Sequence, residues 1–137
     1  MSATIGGLAH VNLRGPEELI ERLRRFYRDV IGLSEGPRPP FRSRGYWLYG
    51  SGRDLLHLTI DPKAAPARGS GCLDHVAFAV TDLAATLERL AAAGVAYERD
   101  EVPSLGQVQL FLTDPAGVGI ELNFTAQAFR RGVHESA

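Results

Sequence analysis

The 137 residues carry a net charge of −1, with 45% hydrophobic and 23% charged residues, the balance of a globular chain of single-domain size. That composition favours neither a disordered nor a membrane-spanning class. With no basic cluster beyond Arg22, Arg24 and Arg25, nucleic acid is not an expected partner. The lone Cys72 and the lack of a basic-then-apolar leader lead to the expectation of a cytoplasmic protein with no membrane partner.

In chain order, Leu8–Arg14 alternates, so His10, Asn12 and Arg14 share one face of a strand and Val11 and Leu13 the other. Gly15-Pro16 then switches the period. Proline suits a first helical position, and Glu17 and Glu18 suit the positive end of a helix dipole. Leu19, Ile20, Leu23, Phe26, Tyr27 and Val30 follow as the apolar stripe of an amphipathic helix stopped by Gly32. Its arginines, at 22, 24, 25 and 28, are expected on the solvated face. Ser34–Phe41 is proline-rich and reads as an edge strand at best. Tyr46–Tyr49 and Leu55–Ile60 read as strands around a Gly50-Ser51-Gly52 turn. In the second of them His57 and Thr59 oppose Leu56, Leu58 and Ile60.

After a linker rich in Pro, Ala and Gly the order repeats. Leu73–Val80 places His75, Ala77 and Ala79 opposite Val76, Phe78 and Val80. Thr81 or Asp82 caps a helix carrying Leu83, Leu87, Leu90 and Ala91, and Gly94 ends it. Val95–Val102 is an expected strand. In the next, Val108, Leu110 and Leu112 alternate with Gln107, Gln109 and Phe111. Asp114-Pro115-Ala116-Gly117 has the composition of a type I turn, and Val118–Phe124 sets Glu121 and Asn123 against Ile120, Leu122 and Phe124. These elements make a first module at about 7–61, a linker at 62–71, a second module at about 72–125 and a polar tail at 126–137, all within one domain.

The two halves echo each other. Leu8-Ala9-His10-Val11 and Leu73-Asp74-His75-Val76 share Leu-x-His-Val, and Leu56-His57-Leu58 matches Ile120-Glu121-Leu122 at nearly the same offset. That is the mark of an internal duplication. Each half thus carries one metal-ligand type on its first strand and one on its last, always on the face whose neighbours are polar or small. The aliphatic face is left for the helices. A single histidine in a strand is more often hydrogen-bonded structure than a ligand; four such residues at corresponding positions point to a divalent metal held by His10, His57, His75 and Glu121. His134, in the tail, stays outside the set.

With those residues in place the chain resembles the vicinal-oxygen-chelate superfamily, the glyoxalase/bleomycin-resistance/dioxygenase group. The resemblance runs from about Gly7 to Phe124. It is carried by HVNLR with a helix ending FYRDVIGL, the LHL strand, DHVAFAV, and the closing DPAGVGIELNF. It implies an α+β fold of two tandem βαβββ modules with curved mixed sheets forming a metal-containing cavity. It also implies a homodimer and a Zn, Ni, Co, Mn or Fe(II) ion on His10, His57, His75 and Glu121. His57 departs from glyoxalase-type members, which usually place Glu or Gln there.

Arg14 falls where glyoxalase I proteins hold a substrate carboxylate. Asn12, Trp47, Tyr49, Gln109 and Phe111 join it as candidate substrate-binding residues. The implied function is lyase or isomerase chemistry on a small oxygenated metabolite, with Glu121 as the catalytic base. The alternatives are an Fe(II) ring-cleaving dioxygenase and a protein that sequesters an aromatic ligand without catalysis.

Overall fold

Periodicity decides which residues form each layer. The computed structural model describes residues 3–65, 69 and 71–125. The chain divides into two compact units, Met1–Pro66 and Ala67–Ala137.

In the first unit, β1 (Val11–Gly15), β2 (Ser34–Gly36), β3 (Gly45–Gly50) and β4 (Arg53–Ile60) make one sheet in the order β1-β4-β3-β2. β1 runs parallel to β4, and the other pairings are antiparallel. The parallel pair requires a crossover, and α1 (Glu17–Phe26) supplies it. Its stripe buries Leu19, Ile20 and Leu23, and β4 contributes Leu56, Leu58 and Ile60 to the same core. The helix does not stay regular to Gly32, because Tyr27–Ile31 forms a π turn. Tyr27 and Val30 are buried there all the same. Gly32 closes it in the left-handed conformation, φ 96°, which a residue without a Cβ adopts at little cost.

The arginines do not all face solvent. Arg24 is half-buried: its guanidinium forks onto the carboxylate of Glu35 in β2 (Nε–Oε1 2.5 Å, Nη2–Oε2 3.0 Å) and lies 4.2 Å over the Tyr46 ring. The Tyr46 hydroxyl donates to Glu21. Helix, β2 and β3 are therefore tied by charge on the side away from the candidate ligands.

The second unit repeats the plan. β5 (His75–Val80), β6 (Glu98–Val102), β7 (Gln107–Thr113) and β8 (Gly119–Phe124) form a sheet in the order β5-β8-β7-β6, with β5 parallel to β8. The crossover is α2 (Leu83–Ala93). Asp82 caps it by accepting from the Ala85 N–H at 3.0 Å, and Gly94 ends it at φ 66°. Alternate residues of β7 and β8, among them Leu110, Ile120, Leu122 and Phe124, are almost completely buried. The turn at 114–117 forms as its sequence demands: the Gly117 N–H donates to the Asp114 carbonyl, and Asp114 Oδ1 accepts from the N–H groups of Ala116 and Val118.

Both first strands start later than the alternation predicts. β1 begins at Val11 and β5 at His75. Pairing sets these limits, since Val11 opposite Leu56 and His75 opposite Gly119 are the first residues in register. Leu8 and Leu73 are exposed. The expected tail lies outside the described residues. Among the described residues no helix is long and apolar enough to cross a membrane.

Candidate metal centre

The four candidate ligands fall into two pairs, one in each unit, and register explains both. In the first sheet Asn12 pairs with His57, and in the second Ala77 pairs with Glu121. His10, just ahead of β1, and His75, the first residue of β5, each sit two residues before that partner. Two residues is one pleat repeat, so both members of each pair share a face. His10 and His75 are exposed, whereas His57 and Glu121 are each only 8% exposed.

In the first unit His57 is clamped. Its ring stacks on His10 (centroids 3.8 Å apart, 13° between planes) and on Trp47 (4.1 Å, 10°), one on each side. Phe41 leans on Trp47 at 6.1 Å, and Arg38 lies 5.0 Å over Phe41, extending the aromatic row. The stack holds the planes of the two imidazoles nearly parallel.

Asp54 completes this group: ligand-type atoms of His10, Asp54 and His57 all lie within 4.8 Å of one another. Asp54 Oδ2 is 2.7 Å from Nε2 of His57. The hydrogen bond from His57 holds the Asp54 carboxyl below the usual range, and Asp54's own N–H adds to the effect.

Sequence alternation misses Asp54, since residues three apart in a strand point to opposite faces. The β3–β4 register explains its place. Trp47 pairs with His57 and Leu48 with Leu56, and then Tyr49 pairs with Asp54. Leu55 is an extra residue in β4, a bulge that reverses the parity beyond it. Asp54 thereby joins the face of Trp47, Tyr49 and His57. Two adjacent leucines in the sequence give no sign of which one is the extra.

In the second unit His75 Nε2 lies 3.5 Å from Glu121 Oε1, and its Nδ1 is 2.7 Å from Asp74 Oδ2. The hydrogen bond to Asp74 raises the His75 pKa above its usual value, and the charge of Glu121 helps. Asn123 Nδ2 donates to Glu121 Oε2 at 3.1 Å. Phe111, paired across the strands with Glu121, sets its ring perpendicular to that of His75, centroids 6.1 Å apart. Asp74 stands beside His75 in the sequence, just ahead of β5, and alternation, which sends neighbours to opposite faces, misses it as well.

These donors fit a divalent ion. Two ligand atoms about 2.1 Å from one ion and subtending a near-tetrahedral angle are about 3.2–3.4 Å apart, close to the His75–Glu121 separation. Both β4 and β5 histidines also hand their other ring nitrogen to a carboxylate, the usual support for a metal-ligating imidazole.

The candidate substrate residues fare differently. Arg14 is paired within the chain: its guanidinium meets Asp61 Oδ2 at 3.0 Å while the side chain stays 65% exposed. Asn12 donates to Thr59 Oγ1 at 3.0 Å, and the Tyr49 hydroxyl donates to the Pro37 carbonyl at 2.5 Å. Trp47 stands against His57 as described. Gln109 pairs with Asn123, on the face of Glu121. Phe111 also lines an open cavity of about 580 Å³ with Tyr97, Glu98, Leu112 and Thr113, within the volume range of small-molecule sites. His134 lies outside the described residues.

A family model described as Glyoxalase/Bleomycin resistance protein/Dioxygenase superfamily matches residues 7–122. Comparison with curated proteins found no match. Among solved structures, a protein from Bacillus anthracis assigned to the glyoxalase family is 26% identical, with 91% of this chain and 99% of that chain covered and a TM-score of 0.70. Lactoylglutathione lyase from Agrobacterium tumefaciens is 20% identical over 91% of this chain and 98% of that chain, TM-score 0.63. A variant of the fosfomycin resistance protein FosX from Listeria monocytogenes, complexed with Mn(II) and 1S,2S-dihydroxypropylphosphonic acid, is 16% identical over 93% of this chain and 98% of that chain, TM-score 0.66. At those identities the last two are likenesses of fold.

Proposed function

The chain belongs to the glyoxalase/bleomycin resistance/dioxygenase superfamily, and on that premise we propose that it is a metal-dependent enzyme performing glyoxalase-like lyase or isomerase chemistry on a small oxygenated metabolite. His10, His57, His75 and Glu121 are the proposed ligands. The observation that carries the reading is the His75–Glu121 pair, whose facing donor atoms stand 3.5 Å apart while carboxylate and amide neighbours support both from behind. A divalent ion bound there would supply Lewis acidity to two neighbouring substrate oxygens. Support for a metal also comes from the FosX structure, which contains Mn(II).

The chain's own groups divide the remaining work. Glu121 is the carboxylate to which we assign the removal of a proton from carbon beside a carbonyl. Asn123 holds its Oε2 and so fixes the direction in which the other oxygen faces. Phe111, shared between the His75 side chain and the open cavity, seats the apolar part of the substrate. Arg14 contributes less, because Asp61 already neutralises it.

A second reading, an Fe(II) ring-cleaving dioxygenase, has its own support: His10, His57 and Asp54 form a two-histidine, one-carboxylate group of the type that serves non-haem iron. Elemental analysis of protein purified without chelators or affinity tag separates these readings. Near-stoichiometric metal is expected in the wild type and its loss in Glu121→Ala and His75→Ala. Nickel, cobalt, zinc or manganese would support lyase or isomerase chemistry, and iron the dioxygenase. A wild type that carries no metal and refuses added ions would sink the enzyme reading and leave a ligand-sequestering protein.

A further inference from the structure

The buried His57 of the first unit and the exposed His75 of the second are held by opposite nitrogens. His57 offers Nε2 to Asp54, and His75 offers Nδ1 to Asp74, each at 2.7 Å. An ionised carboxylate only accepts hydrogen bonds. In a neutral His57 the proton therefore sits on Nε2 and the lone pair on Nδ1; in a neutral His75 the assignment is reversed. The His57 ring has little freedom to exchange the two, because Trp47 and His10 cover its faces and its side chain is only 10% exposed. The Leu55 bulge gives β4 this arrangement, since it alone brings Asp54 to the His57 face.

We propose that Asp54 is a positioning residue that holds the Nε2–H of His57 and so dedicates Nδ1 of that ring to a divalent cation, whereas His75 presents Nε2. The inference rests on the metal-binding reading above. A carboxylate behind a ligating imidazole fixes its tautomer and orientation and raises its basicity; removing such a partner typically weakens metal affinity about 10–100-fold. Asp54 thus earns its place by support, leaving His10, His57, His75 and Glu121 as the ligands.

The test uses the full chain, nitrogen-labelled, with cadmium alone as the probe ion. Magnetic resonance should show cadmium coupled directly to Nδ1 of His57 and Nε2 of His75. In the metal-free protein a low-field Nε2–H resonance from His57 should be present and should vanish in Asp54→Ala. Calorimetry should find cadmium affinity about 10–100-fold lower in Asp54→Ala. Asp54→Asn, which keeps an oxygen acceptor without the charge and guards against disturbance of β4, should lose less. Cadmium coupled to Nε2 of His57, or unchanged affinity in both variants, overturns the positioning role while leaving the metal centre standing. A wild type that binds no cadmium overturns both.

Discussion

The two units share a plan and differ in how they furnish it. Strand order, the parallel first-to-last pairing and the two-residue step from histidine to the partner of the last-strand ligand are the same in both. The furnishing differs at three places. β4 carries a bulge where β8 pairs with β7 in unbroken register. Its candidate ligand is a histidine between two aromatic rings, where β8 has a glutamate beside an asparagine and a phenylalanine. The helix of the first unit starts at Pro16 with no side-chain cap, and the second starts at a capping Asp82. Backbone pairing and the buried face must be preserved together for a sheet to keep its core. The opposite face carries no such restriction, and there the copies have diverged into chemically distinct sets of side chains.

The strongest way to break the comparison is to strike equivalent core positions. Leu58 and Leu122 occupy matching places beside His57 and Glu121 and are 0% and 1% exposed. Leu58→Ala and Leu122→Ala should each cost about 2–5 kcal/mol in denaturant unfolding, as deletion of a buried leucine side chain does. A cost under 1 kcal/mol at either position would show that one of the two cores tolerates a cavity the other cannot. Of intermediate size is the difference between helix starts. Asp82 holds φ 63° and accepts the Ala85 N–H. Asp82→Ala should then lose about 1–2 kcal/mol, through both the lost cap and a Cβ-bearing residue without Asp's local hydrogen bonding at positive φ. Asp82→Asn should be nearly neutral, and Pro16→Ala should change only a few tenths of a kcal/mol. Equal losses at Pro16 and Asp82 would erase the distinction.

Much of this architecture was legible because it rests on local rules. Leu-x-His-Val at His10 and His75 marks the duplication. Alternation separates Leu56, Leu58 and Ile60 from His57, and Asp114 through Gly117 announce their turn. The failures all involve partners that periodicity does not encode. The apolar stripe continues through Tyr27 and Val30 whether the backbone there is α or π. Leu55 and Leu56 are both apolar, so the bulge, and with it the face of Asp54, is invisible. Arg14 looked available for an anion until the parallel β1–β4 register placed Asp61 beside it. Arg24 follows helical spacing toward solvent, yet β2 supplies Glu35 to draw it in. A strand of three residues offers too little pattern to forecast that contact.

That last pair allows the finest test, because it belongs to the first unit's helix side and leaves the side of the candidate ligands untouched. The fork from Arg24 holds Glu35 below the usual carboxylate range, Arg28 adds to the effect, and partial burial opposes it. A lowered folded pKa means that the stabilisation is complete above the ordinary glutamate value of about 4.3 and is lost as pH falls through the folded value. Both side chains remain about a third exposed, so solvent screening keeps the contribution to roughly 1 kcal/mol or less. Glu35→Gln should therefore be less stable than wild type in urea at pH 7. The two curves should converge as pH falls through the lowered folded value, where the wild-type carboxyl also becomes neutral. High salt at pH 7 should narrow the gap in the same way. If the gap instead persists at low pH, Glu35 is stabilising β2 through packing against α1, and the helix side of the first unit is held by shape where its charges suggested attraction.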